Sequence, residues 1–149
     1  MNLFNFFKKT SIAPDETNTN SSNHKFIGCV LAYEVARSDG NIDNNELSKI
    51  KNEITKKSNE LGLDSNAVFA TIKMNSNESI SFNDFINQIN ENFSLHEKEE
   101  MIKFLWETAY MDNILEVNEE RLIRRIADMI NIKDIKVLRL KSEAKNKNI

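Results

Sequence analysis

The chain reads as all-α, a compact bundle of about seven helices built from two related helical hairpin halves. Three observations carry that reading. Only three Gly and one Pro interrupt 149 residues rich in Lys, Glu, Asn, Ile and Leu, a composition that favours helices over a sheet. Apolar residues recur at helical spacing through most of the chain. The stretch from Leu31 to Glu46 is echoed from Phe104 to Glu119, with Glu34 and Glu107, Asp39 and Asp112, Ile42 and Leu115, and Glu46 and Glu119 each 73 positions apart. Each copy is an apolar helix containing one Glu, a turn opening with Asp, and a second helix opening with another Glu.

The elements follow in order. Residues 1–9 place Leu3, Phe4, Phe6 and Phe7 ahead of Lys8 and Lys9, and residues 10–24 are polar and aperiodic. Residues 1–24 are therefore expected to be a short amphipathic segment plus a flexible linker. The amphipathic part could serve as an anchor for a membrane surface or partner groove, or dock on the protein's own core. A helix over 25–38 is apolar on nearly every side, through Phe26, Ile27, Cys29, Val30, Leu31, Tyr33, Val35 and Ala36, and so predicts a central, buried element. Asp39-Gly40 makes the turn.

The second helix, 44–61, has a stripe of Leu47, Ile50, Ile54 and Leu61, with Gly62 as the residue that ends it. Asp64 caps a third, carrying Val68, Phe69, Ile72 and Met74. Ser81 caps a fourth, with Ile80 and Phe85 as a hydrophobic staple and a face of Phe82, Phe85, Ile86, Ile89 and Phe93. Ser94 and Glu97 form a capping box for a fifth helix, 95–111, whose Met101, Ile102, Phe104, Leu105, Trp106, Ala109 and Met111 mirror the first. The first and fifth are expected side by side at the centre. A sixth, 117–130, carries Leu122, Ile123, Ile126, Met129 and Ile130. A seventh from 133 carries Ile135 and Leu138 before a basic tail from Lys141. The expected domain spans 25–145, with 146–149 as the tail end.

A net charge of −3 with both signs interspersed gives no broad positive field, so no nucleic acid partner is expected. A single cysteine, Cys29, and two histidines, His24 and His96, exclude an internal disulfide and a thiolate or imidazole zinc site. A reducing, cytoplasmic setting fits. Glu34, Lys103 and Glu107 break the apolar stretches below the roughly 20 residues a transmembrane helix needs. Any membrane contact, at the inner face and through residues 1–9, would then be peripheral.

No nucleophile with a base partner, phosphate-cradling loop or dinucleotide fingerprint occurs, so a non-catalytic protein is expected; a metal-dependent hydrolase would have to rest on the acidic cluster alone. The run Asp39-Gly40-Asn41-Ile42-Asp43 is not an EF-hand, because Asn44 stands where that loop needs Gly and Ile50 where it needs Glu. Glu34 and Glu107 lie in almost wholly apolar helices, where a carboxylate requires a partner: a hard cation, Arg37, Arg124 or Arg125, or backbone amides at a helix N-terminus. Asp39 and Asp112 follow helix C-termini, where a cation or an Asx-type turn would satisfy them. Asp43 with Glu46 reads as a capping box.

The run Leu105-Trp106-Glu107 with Ala109-Tyr110 and Asp112, followed by Glu119-Glu120, Leu122-Ile123 and Arg124-Arg125-Ile126-Ala127-Asp128, resembles the second motif of the TerB-like superfamily, relatives of tellurite-resistance protein B. Glu34-Val35-Ala36-Arg37, Asp39-Gly40 and Glu46 are similar to its first motif. The resemblance implies an all-helical domain in two related halves, with acidic turns proposed to bind a divalent cation such as Ca²⁺ or Mg²⁺, in systems linked to stress responses and membrane-associated complexes. It carries over to Glu34, Asp39, Glu46, Glu107, Asp112 and Glu119. It also implies a protein partner. Asn113 departs from the family's usual Gly after the second Asp, and Asn tolerates the left-handed turn better than most residues. The alternative is a purely structural interaction module without metal, its acids serving as caps and ion pairs.

Overall fold

The computed structural model describes residues 16–38, 40, 42–77, 82–111 and 115–147. The expected N-terminal anchor, the Ser81 cap with its Ile80 staple, Asp39 and Asp112 lie outside the described residues. Among those described there are seven helices and no strand: α1 (Glu16–Ala36), α2 (Asn44–Leu61), α3 (Ser65–Asn77), α4 (Phe82–Asn92), α5 (Leu95–Ala109), α6 (Val117–Met129) and α7 (Asp134–Lys147). The all-α bundle expected from composition and periodicity is the fold observed.

Local chemistry sets several boundaries. The Asp43 carboxylate caps α2 by accepting from Asn45 N at 2.8 Å and Glu46 N at 3.3 Å. Gly62, at φ 69°, ends α2 in a Schellman motif, with Leu63 N donating to Ser58 O and Gly62 N to Asn59 O. Asp64 caps α3 through Asn66 N at 3.2 Å. The Ser94–Glu97 capping box opens α5, with Glu97 N to Ser94 Oγ at 3.1 Å and Ser94 N to Glu97 Oε1 at 2.9 Å. Asn131 does at the end of α6 what Gly62 does for α2: it adopts φ 67°, and Ile132 N reaches back to Ala127 O.

α1 begins at Glu16, inside the stretch 10–24 expected to be linker. Asn, Thr and Ser cost only tenths of a kcal/mol each as helix residues, and extending a packed helix avoids the costly nucleation step. At the other end Gly40, at φ 92°, makes the predicted turn.

α1 packs against α2, α3, α4, α5 and α6, while α5 packs against α1, α2, α6 and α7. Their all-round apolar character demands that position. Tyr33 is 5% exposed and Trp106 fully buried, as a central placement requires. The helices approach closely where Gly28 faces α5, since a Cβ there would lie 3.4 Å from Met101 Cγ. Outer helices contribute single stripes, such as Ile50 and Ile54 of α2 and Ile123 and Ile126 of α6.

One expected core face loses a member and another is rotated. Met74 of α3 is exposed. In α7 the buried stripe is Val137, Leu140 and Ala144, while Ile135 and Leu138 face outward. The stripe at positions 137, 140 and 144 follows the helical period and ends on a small residue that permits close approach to α5.

Candidate acidic site and the charged groove beside it

Four of the six acidic residues singled out in the repeat are described, and they fall into two kinds. Glu34 and Glu107 sit inside the central helices. The Glu34 side chain is about one-fifth exposed, with Arg37 Nη1 at 3.6 Å from Oε1, the partner expected from sequence. Its Oε1 is buried without a hydrogen bond. Burial pushes the carboxyl above the ordinary Glu value, and the Arg37 guanidinium pulls in the opposite direction. Arg37 also lies over the Tyr33 ring, 5.8 Å from its centroid.

Glu107 departs from expectation. Its ion-pair partner is Lys49 Nζ of α2, at 3.5 Å, not Arg124 or Arg125. Arg124 instead bonds both carboxylate oxygens of Asp134 at 3.1 and 3.2 Å, and Arg125 is exposed. The reason is geometric: both arginines lie on the outer face of α6, whereas Lys49 lies on α2, which packs against α5. Glu107 keeps further interactions within the fold.

Glu46 and Glu119 occupy the third position of α2 and α6, the first helices after the two acidic turns, and each is 2% exposed. Glu97 occupies the same third position of α5, where it completes a capping box, and it is exposed. Glu46 and Glu119 are therefore turned inward, and both have partners within the fold. The Asp43 half of the expected Asp43–Glu46 box is present as a cap; burial of Glu46 is the feature that capping does not require. Among the described residues no group of three or more His, Cys, Asp or Glu is placed to hold a metal ion.

Beside Glu107 a groove of about 480 Å³ opens between α2 and α5. Its α2 wall brings Lys49, Glu53, Lys56 and Lys57; the facing wall brings His96, Glu97 and Glu100, over a floor that includes Gly28 and Met101. No motif in the sequence marks this groove. The available signal was the spacing of 49, 53, 56 and 57, which puts one polar face of α2 opposite the polar face of α5. Cys29 lies beneath, fully buried, and burial pushes its thiol up to about 12. It is a core residue and no nucleophile at neutral pH.

No curated protein and no solved structure matches the chain significantly. The family described as tellurite resistance protein TerB matches residues 27–142, from the middle of α1 into α7. That match takes in both copies of the acidic sequence repeat and most of the chain, and the protein belongs to the TerB family.

Proposed function

We propose that this TerB-family helical module is non-catalytic, takes up a divalent cation, Ca²⁺ or Mg²⁺, at its acidic turns, and serves protein interaction in a stress response. The carrying observation is the burial of Glu46 and Glu119, each 2% exposed. A glutamate that did no more than cap its helix would lie at the surface, as Glu97 does. Glu34 supports the same reading, since its buried Oε1 accepts no hydrogen bond and could act as a metal donor. Carboxylate oxygens are the donors a hard cation takes.

Glu34, Asp39 and Glu46 would serve one cation and Glu107, Asp112 and Glu119 the other. Each set has a cation beside its helix glutamate, Arg37 at 3.6 Å from Glu34 and Lys49 at 3.5 Å from Glu107; the second set is the weaker because Asn113 stands where the family has Gly. The interaction and stress-response roles rest on family membership. The ion pairs Arg37–Glu34 and Lys49–Glu107 favour a second reading, in which the acids are purely structural and no metal binds.

Thermal unfolding separates the two. A cation at a hundredfold excess over its dissociation constant should stabilise the native state by about 2.7 kcal/mol. Asp39→Asn should lose most of that response, and Asp112→Asn less. A wild type indifferent to Ca²⁺ and Mg²⁺ would return the acids to caps and ion pairs.

A further inference from the structure

The face of α7 opposite its buried stripe carries an unusual combination. Ile135 is 73% exposed and Leu138, one turn on, 43%. Arg139 and Lys145 share that exposed face. α6 lies alongside, tied to α7 by Arg124–Asp134 and by Lys141–Glu120, and adds the exposed Arg121 and Arg125. None of Arg121, Arg125, Arg139 and Lys145 forms an ion pair among the described residues. Residues 117–147 hold nine Lys and Arg against five Asp and Glu, a local excess of four positive charges in a chain whose net charge is −3.

We propose that this exposed face of α7, flanked by the α6 arginines, docks on an anionic lipid surface. Charge complementarity selects a negative partner, and the molecule's charge asymmetry would present this face to it first. The two aliphatic side chains then decide which negative partner. They stand outward, shaped to insert rather than to receive, and a deformable lipid interface accommodates them without a matching pocket. A nucleic acid backbone would use the cations and gain nothing from Ile135 and Leu138. No helix among the described residues is long and apolar enough to cross a membrane, so α7 would lie in the interface plane. The Leu3, Phe4, Phe6, Phe7, Lys8, Lys9 composition of the N-terminal segment supplies a second signal of the same chemistry, and stable anchoring generally takes two.

The test is co-sedimentation of the full chain with vesicles of equal parts phosphatidylglycerol and phosphatidylcholine, and with phosphatidylcholine alone. Binding is expected only to the anionic vesicles, weakening as salt rises. At about fivefold per cation, Arg139→Glu with Lys145→Glu should weaken binding roughly twenty-five-fold or more. Ile135→Ser with Leu138→Ser should also weaken it, while Lys51→Glu with Lys56→Glu on α2 should have a smaller effect. An environment-sensitive dye attached through Ile135→Cys should shift to the blue on binding. No binding to anionic vesicles would overturn the proposal. So would an α7 charge reversal no more damaging than the α2 one, loss on deleting residues 1–9 with full tolerance of the α7 changes, or preference for duplex DNA over vesicles.

Discussion

The Lys49–Glu107 contact offers the sharpest test of how the central glutamates are satisfied, because it joins α2 to the buried α5 across the bundle. The Glu107 side chain is 12% exposed and the Lys49 side chain 29%, between the limits for which magnitudes are known. An exposed pair contributes about 0–1 kcal/mol, whereas removing one partner of a buried pair costs about 3–5 kcal/mol. Lys49→Met keeps the apolar stem and deletes the charge, and Glu107 retains other partners, so a loss of about 1–2 kcal/mol is expected. For a chain of this size that is a fall in unfolding midpoint of about 2–8 °C. Glu107→Gln should cost less, and the double variant should recover part of the loss, giving a coupling energy near 1 kcal/mol in a double-mutant cycle. Urea unfolding with chelator present reads the cycle without metal. Strict additivity of the two substitutions, or a Lys49→Met variant as stable as wild type, would show that Lys49 does not satisfy Glu107 and return it to the set of carboxylates awaiting a cation.

Other expectations concern single elements. Ser94→Ala removes the acceptor for Glu97 N and should cost about 1 kcal/mol in chemical unfolding. Asn131→Ala places a β-carbon residue at φ 67° without the Asn side chain that eases the left-handed region, and should cost about 1 kcal/mol, with Asn131→Gly neutral or stabilising. Glu34 binds its proton more tightly folded than unfolded, because burial raises its carboxyl above the ordinary 4.5. Its contribution is therefore greatest below that value and declines as pH rises through the raised one. In chelator, Glu34→Gln should be more stable than wild type at neutral pH and lose the advantage on acidification below 4.5; an advantage independent of pH would contradict this. With its thiol pushed up to about 12, Cys29 should resist iodoacetamide in the native state and react at a rate set by unfolding. Rapid labelling of folded protein would show that it is accessible.

Much of the architecture was legible because it depends on local chemistry and period. Helix boundaries at Asp43, Gly62 and Ser94 follow from side chains that bond the backbone a few residues away, and burial of the central helices follows from apolar residues on all sides. What was not legible depends on how helices pair. Glu107 finds Lys49 because α2 lies against α5, and nothing in the sequence near either residue states that adjacency. Ile135 and Leu138 satisfy a helical period as well as Val137, Leu140 and Ala144 do, and only the position of α5 decides which stripe is covered. The inward turn of Glu46 had the same cause: its spacing from Asp43 suits a capping box, yet its side chain lies among packed helices. The repeat of Glu34 and Glu46 in Glu107 and Glu119 was visible as a pattern, but their surroundings were not.

Uptake of a divalent cation at the acidic turns, with the inward-turned glutamates as part of the donor set, is the role proposed above for the repeat. Calorimetric titration of chelator-treated protein with Ca²⁺, Mg²⁺ and Mn²⁺ tests it most directly, alongside Glu46→Gln with Glu119→Gln, which keeps shape and removes both charges. Saturable binding of at least one of these cations to the wild type is expected, with its loss in a double variant that keeps wild-type helical circular dichroism. Absence of saturable binding to the wild type, or undiminished binding to the folded double variant, would contradict it.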